Sequence, residues 1–506
     1  MFDVGRGFLA AVERDGAALA IVDGERRQSY GDWLDEIRRL VAGLDGLGLR
    51  RGDHLLLALQ NTWEMASLHW ACQLAGLVAT PVNWRLGAEE MDYFLGDSGA
   101  GAIVFQAETE AATRGSAQAA ALTRIAVGGA AGGSHAFEDL LGHDPASDLP
   151  RAGPEDLSLM LYTSGTTGPG KGVPRRHRAE RAAGLAHVAQ NLYGFGEVTL
   201  GVMPLYHTMG VRSLLAMAAI NGVFVCLPRF DAARALALIE AERITNLYLV
   251  PTLYHDLLSH ESFERADISS VQKLGFAGAS MTDGLLQRLD AAFRPELFVN
   301  HSGSSEIYTF TVEQRAAAKP GSAGKAGLNQ IIRVVALDTS DPEARVAPGE
   351  EGQIIASLAG DEAFEGYHRR PEADAKALRD GWYFTGDIGH FDADGDLFVT
   401  GRVDDMILTG GENVLPVEIE SVLSLHPAVA EVAVAGLPDE RLGQQVTAFV
   451  GRRQPVTAAA LDEFCKSSSL ANFKRPRDYV FVKTIPKSPV GKVLRRMLLA
   501  GDYELE

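Results

Sequence analysis

Short unbroken apolar runs alternate along this chain with longer segments whose apolar positions recur every three or four residues. His54–Leu59 (HLLLAL) and Ala102–Phe105 (AIVF) have the length and apolar content of strands buried on both faces, whereas Tyr30 to Leu47 carries the helical period. Their alternation predicts parallel sheets covered by helices, an α/β class for the large N-terminal part. After Gly401-Arg402 the texture changes. Val417, Ile419, Val422 and Leu423 sit at helical spacing, and strand-like runs Val429–Ala435 and Val446–Val450 follow. A helix from about Ala458, a strand Tyr479–Val482 and a helix from about Val493 complete a smaller α+β unit. The expected division is residues 1–403 and 404–506. Gly128–Ser134, built only of Gly, Ala and Ser, reads as an irregular surface connection, and no tandem repeat or heptad array is seen.

A length of 506 residues supports this division, because one hydrophobic core seldom organises so long a chain. The formal charge of −19 excludes a general affinity for nucleic acid or an anionic membrane surface, so any phosphate must be met by local groups. Cys72, Cys226 and Cys465 lack metal-ligand spacing and fit a reduced cytoplasmic protein with buried thiols. The opening segment carries Asp3, Glu13 and Asp15 around its apolar stretch, unlike an export signal. The longest apolar stretch, Leu214–Pro228, is interrupted by Asn221 and Gly222 and falls short of the roughly 18 residues that a membrane span needs. A soluble chain is expected.

Candidate chemistry begins at Leu161–Lys171 (LYTSGTTGPGK). Its Ser, Thr and Gly residues offer backbone N–H groups and hydroxyls to phosphate oxygens, and Lys171 adds a compensating charge. Gly165, Gly170 and Lys171 also satisfy the first part of the Walker A spacing. That pattern next requires Ser or Thr for Mg²⁺ and a helix, and here Gly172, Val173 and Pro174 follow. A Gly/Ser linker is the competing reading, countered by the apolar residues that lead straight into the loop.

Five further segments join this loop in order: Met203–Gly210 (MPLYHTMG), Asn300–Glu306 (NHSGSSE), Tyr383–Asp387 (YFTGD), Gly401–Ile407 (GRVDDMI) and Pro486–Lys492 (PKSPVGK). The set resembles the signature blocks of the adenylate-forming superfamily of acyl-CoA synthetases, luciferases and peptide-synthetase adenylation domains. The resemblance implies a large adenylation domain and a small mobile C-terminal domain turning near Asp404. It also implies ATP, Mg²⁺ and coenzyme A as the molecules handled. Thr163, Ser164, Gly165, Thr166, Thr167, Gly168 and Lys171 would embrace phosphates. Ser304 and Ser305 would touch the α-phosphate, and Glu306 would ligate the metal. Ser302 stands where the family usually has an adenine-stacking tyrosine. Asp387 would accept hydrogen bonds from the ribose hydroxyls, and Arg402 would reach the nucleotide. Lys492 is the main catalytic candidate, an ammonium that stabilises charge on the transferring phosphoryl group, with His207 beside it in the catalytic set.

The resemblance is strongest to aryl-CoA ligases of the 4-chlorobenzoate type, through Arg402–Glu420 and Leu461–Arg496. It assigns Gly410 and Gly411 to a narrow pantetheine channel, and Phe473, Arg475 and Arg477 to the CoA nucleotide, although Leu442 replaces a tryptophan there. The implied acid pocket comprises His207, Thr208, Met209, Ala279, His301, Gly303, Tyr308 and Thr309. Its polar members favour an aromatic acid bearing a heteroatom or hydroxyl, such as a furoate or hydroxybenzoate, over an apolar halobenzoate. His207 and His301 also have a purely structural reading. A fatty-acid or dicarboxylate ligase of the same fold, a P-loop ATPase or kinase, and a non-catalytic nucleotide binder are the alternatives. The protein is expected to act as a monomer or homodimer in the cytoplasm.

Overall fold

The computed structural model describes residues 2–163, 170–468, 470–487 and 493–506. Two sheets organise the chain up to Arg402. The smaller has the strand order His135–Ala136, Thr123–Ala126, Ala102–Phe105, His54–Ala58, Val78–Pro81, Leu157–Tyr162 and Gly172–Arg176. All its pairs are parallel except the last. In the larger sheet Leu19–Asp23, Val223–Cys226, Val198–Gly201, Asn246–Leu249, Lys273–Phe276 and Leu297–Ser302 lie side by side in parallel.

Helix Tyr30–Gly46 illustrates why these segments fold as they do. Ser29 Oγ accepts from the backbone N–H of Asp32 at 3.1 Å, a cap that contributes about 1 kcal/mol. Tyr30, Trp33, Leu34, Ile37, Leu40, Val41 and Leu44 form its buried stripe, each large side chain stabilising the fold by roughly 1.5–3 kcal/mol on burial. Strands Leu55–Ala58 and Ala102–Phe105 are buried throughout, which explains their lack of polar alternation.

The purely parallel expectation fails between residues 311 and 402. There Thr311–Glu313, Ser322–Ala326, Leu397–Arg402, Trp382–Phe391, Gly352–Ser357 and Ile332–Val335 extend the large sheet in antiparallel fashion. Apolar content reveals a strand but not its direction, which the connections decide. Leu214–Pro228 resolves into the end of helix Thr208–Ala219 and strand Val223–Cys226, with Asn221 turning between them at φ 47°. Among the described residues no helix is long and apolar enough to cross a membrane. Cys72, Cys226 and Cys465 are buried free thiols, and burial raises the pKa of each. Gly128–Ser134 is the irregular surface connection expected, with Gly128, Gly129 and Gly132 at positive φ.

Beyond Arg402 a separate core gathers Ile407, Val414, Ile419, Leu423, Val434, Val446, Ala448, Leu461 and Cys465. Strands Val429–Asp439 and Gly443–Arg452 form its long hairpin, and Asp478–Phe481 joins Gly443–Arg452 in parallel. Helices Pro416–Ser424, Ala458–Ser467 and Arg495–Ala500 complete the α+β unit.

Candidate active site

The candidate residues collect where chains leave the C-terminal ends of the parallel strands, the position at which open α/β sheets place ligands. His207 follows Val198–Gly201, Ala279 follows Lys273–Phe276, and the Gly303–Glu306 turn follows Leu297–Ser302. Gly278 lies at φ 82°, and a Cβ there would stand 3.7 Å from Met209 Sδ, so the first and second of these exits adjoin. His207 Nδ1 accepts from the Met209 N–H at 3.3 Å and caps helix Thr208–Ala219.

Residues 302–310 form a tight loop. The Phe310 N–H donates to Ser302 O at 2.7 Å, and the Ser304 N–H donates to Ile307 O at 2.8 Å. A Cβ on Gly303 would lie 2.1 Å from Tyr308 O, which is why glycine stands at this turn. Ser304 Oγ accepts from the N–H groups of Glu306 and Ile307 at 3.2 and 3.3 Å, leaving its proton for another acceptor. Glu306 is buried, and its Oε1 accepts from the Tyr367 hydroxyl at 2.6 Å. Lys171 Nζ stands 4.1 Å from the centroid of the same Tyr367 ring, so this tyrosine joins the phosphate-loop lysine to the candidate metal ligand. Burial, then Glu306, raises the Tyr367 pKa and keeps the hydroxyl a donor. The carboxyl oxygens of Glu306 are the hard ligand type that suits Mg²⁺.

Thr163 and Lys171 close the mouth of the phosphate loop. The Thr163 N–H donates to Lys171 O at 3.0 Å, and the Lys171 N–H donates to Thr163 Oγ1 at 3.3 Å. Leu157–Tyr162 and Gly172–Arg176, on either side, pair antiparallel, so a strand and not a helix follows the lysine. That anatomy contradicts the Walker A alternative. Ser164, Gly165, Thr166, Thr167 and Gly168 lie outside the described residues, as does Lys492.

Asp387 and Arg402 face each other on adjacent strands, and Arg402 Nη1 lies 3.1 Å from Asp387 Oδ1. In the C-terminal unit, Gly410 and Gly411 adopt φ 60° and 87° at a turn where the Gly410 N–H donates to Leu442 O. Phe473 is 38% exposed. Arg475 and Arg477 border a hollow of about 410 Å³ with Asp462, Lys466, Asn472 and Tyr479.

Of the acid-pocket candidates, Thr208, Met209, His301, Tyr308 and Thr309 are buried, His207 and Ala279 are half-buried, and Gly303 is exposed. The Tyr308 hydroxyl donates to Glu180 Oε2 at 3.0 Å beneath the Arg175 guanidinium, 4.1 Å from its ring centroid, so that hydroxyl already has a protein acceptor. Arg175 Nε donates to Glu180 at 2.8 Å, and its Nη1 donates to the carbonyls of Glu306 and Glu362 at 2.8 and 2.7 Å. These bonds fix the main chain behind the candidate metal ligand. Thr309 Oγ1 accepts from Arg212 at 2.6 Å, and His301 Nε2 meets Asn191 Oδ1 at 3.1 Å. Sequence reasoning missed Arg175, Glu180, His187, Asn191, Arg212, Tyr248 and Tyr367. Arg212, a lone charge inside the apolar helix TMGVRSLLAMAA, was the visible signal.

This set of strand-end loops, buried Glu306 and the Asp387–Arg402 pair fits a nucleotide site of the adenylate-binding kind. Residues 8–368 match the family described as AMP-binding enzyme, and residues 418–492 match the AMP-binding enzyme C-terminal domain. A 4-chlorobenzoate–CoA ligase of Arthrobacter sp is 33% identical over 494 residues, 96% of this chain and 93% of the relative. A feruloyl-CoA synthase of Amycolatopsis sp is 33% identical over 94% of each chain. The crystal structure of the anthranilate CoA ligase AuaEII with anthranoyl-AMP superposes with a TM-score of 0.91 at 26% identity, covering 99% of this chain and 97% of that one. The chain belongs to the AMP-binding enzyme family.

Proposed function

We propose that this protein is an AMP-forming acid–CoA ligase acting on an aromatic monocarboxylic acid, with the heteroaromatic or hydroxylated acids preferred. The observation that carries the reading is the joining of Lys171, Tyr367 and Glu306 beside a loop rich in phosphate-binding groups. The three ligases described above, each named for an aromatic acid, support the substrate class.

In the first half-reaction a carboxylate oxygen attacks the α-phosphorus of ATP, forming the acyl–phosphate bond as the bond to pyrophosphate breaks. Thr163 to Gly168 and Lys171 hold phosphates, while Ser304 and Ser305 donate to the α-phosphate. Glu306 would hold Mg²⁺, which supplies charge neutralisation at the phosphate oxygens. Asp387 grips the ribose, with Arg402 beside it. Lys492 stabilises the charge that accumulates during transfer. His207 stands at the N-terminus of helix Thr208–Ala219, where the helix dipole favours a carboxylate. Thr208, Met209, Ala279, His301, Gly303, Tyr308 and Thr309 enclose the acid.

In the second half-reaction the CoA thiol loses its proton, its sulfur bonds to the acyl carbon, and AMP leaves. The unit 404–506 turns near Asp404 to exchange Lys492 for Gly410 and Gly411, whose bare backbones line the pantetheine path. Phe473, Arg475 and Arg477 receive the CoA nucleotide, and the hollow beside the two arginines supports this. The protein works in the cytoplasm as a monomer or homodimer.

The test incubates the protein with MgATP, CoA and benzoate, hydroxybenzoates, chlorobenzoate, furoate and fatty acids. AMP, pyrophosphate and one dominant aromatic thioester are expected. ADP as product, or no turnover dependent on a carboxylic acid, overturns the reading.

A further inference from the structure

Beside the acid-pocket candidates His301, Tyr308 and Thr309 lies a buried polar centre whose hydrogen-bonding capacity is incompletely used. Arg212 is 1% exposed, and it donates to neutral oxygens: Tyr308 O at 3.1 Å, Thr309 Oγ1 at 2.6 Å and the Tyr248 hydroxyl. Its Nε is buried and meets no partner among the described residues. Two histidines adjoin this arginine. The rings of His187 and His301 lie 5.3 Å apart, and the Tyr248 ring lies 4.6 and 5.4 Å from them.

The protonation pattern of these rings follows from their surroundings. Burial foremost, then the Arg212 charge, holds both imidazoles well below their ordinary pKa, so each is neutral with a single proton. Asn191 lies between them. Its Nδ2 donates to His187 O at 2.7 Å and to His187 Nδ1 at 2.9 Å, and its Oδ1 faces His301 Nε2 at 3.1 Å. An accepting Nδ1 places the His187 proton on Nε2, and a donating Nε2 leaves His301 Nδ1 as a bare lone pair. His187 Nε2 and His301 Nδ1 are both buried without a partner among the described residues.

The unused groups are therefore two donors, Arg212 Nε–H and His187 Nε2–H, and one acceptor, His301 Nδ1. A hydroxyl group is their complement, since its oxygen accepts twice and its proton is donated once. A chlorine or a ring C–H leaves these groups unsatisfied, and a carboxylate brings no proton to His301 Nδ1. We propose that Arg212, His187 and His301 form the specificity end of the acid pocket and select an aromatic acid that carries a hydroxyl group besides its carboxyl group. This rests on the acid–CoA ligase reading and narrows its substrate class.

The experiment compares kcat/KM for benzoate, the three hydroxybenzoates, the chlorobenzoates and the benzenedicarboxylates, read as AMP and thioester formed by the full-length protein. One hydroxybenzoate is expected to exceed benzoate by about 10²-fold, within the discrimination that a site built around a substrate hydroxyl achieves. His187→Phe and His301→Leu are each expected to reduce that ratio at least about 10-fold. The ratio is measured on one preparation, so it does not depend on the fraction of protein folded, and the wild-type panel decides alone should neither variant fold. Equal use of hydroxylated and parent acids, preference for a chloro or dicarboxylic acid, or an unaltered ratio in both variants overturns the proposal while leaving the ligase reading intact. Absence of AMP with every acid overturns both.

Discussion

The proposed phosphate-facing rim and the proposed acid pocket make opposite use of burial. Along the rim, Ser304, Asp387, Lys171 and Arg402 keep access to solvent, and they lie on short segments that each hold their chemistry in consecutive residues. In the pocket, His187, Arg212, Tyr248, His301 and Thr309 are all buried, and they come from five separate elements or loops. A large charged nucleotide must enter and leave the rim, so strong local groups suffice there. A small acid is told from its analogues only where desolvation makes an unmatched hydrogen bond costly.

The widest expected effect separates the two regions at the rim. Lys492→Ala is expected to slow acid-dependent pyrophosphate release by roughly 10³-fold. Thioester formation from supplied acyl-AMP and CoA should fall far less, and equal losses in both assays would remove Lys492 from its assigned half-reaction. Glu306→Gln is expected to cost about 10²-fold in kcat/KM for MgATP, with Tyr367→Phe costing about 10-fold because one hydrogen bond to a charged group is lost. A Tyr367→Phe enzyme as impaired as Glu306→Gln would mean that the tyrosine does more than position the carboxylate.

On the pocket side, Thr309→Val leaves Arg212 without one of its buried acceptors and should lower stability by roughly 1–3 kcal/mol, read from urea unfolding. A stability change of that size from Ser304→Ala, whose site is half-exposed, would erase the contrast between the regions. The smallest effect is expected in the C-terminal unit. Arg475→Ala is expected to raise KM for CoA about 5-fold, as removal of one partly exposed cation from a phosphate contact does, and KM for ATP should move less.

Much of the architecture was legible because it depends on local periodicity. The stripe of helix Tyr30–Gly46 and the apolar strands His54–Ala58 and Ala102–Phe105 lie within a residue or so of the segments read from the chain. The small C-terminal unit was equally visible, from Pro416–Ser424 to Asp478–Phe481. The antiparallel extension between residues 311 and 402 was not, because strand direction depends on which partner the connection reaches.

The sequence by itself determined the class of chemistry, since the segments that carry the family resemblance, among them Leu161–Lys171, the Ser-Ser-Glu turn at 304–306 and Tyr383–Asp387, each lie in a few adjoining residues. It also foretold that Gly172 would end any Walker A reading, as the strand Gly172–Arg176 bears out. Only the tertiary structure decided what surrounds those groups. Tyr367 reaches Glu306 across 61 positions, Arg212 reaches Thr309 across 97, and Asn191 reaches His301 across 110. Side chains so far apart share no local pattern. Their meeting follows from the order of strands in the sheet, and the hydrogen bonds still open at the centre of the pocket become visible only once the helices carrying His187 and Arg212 pack together over it.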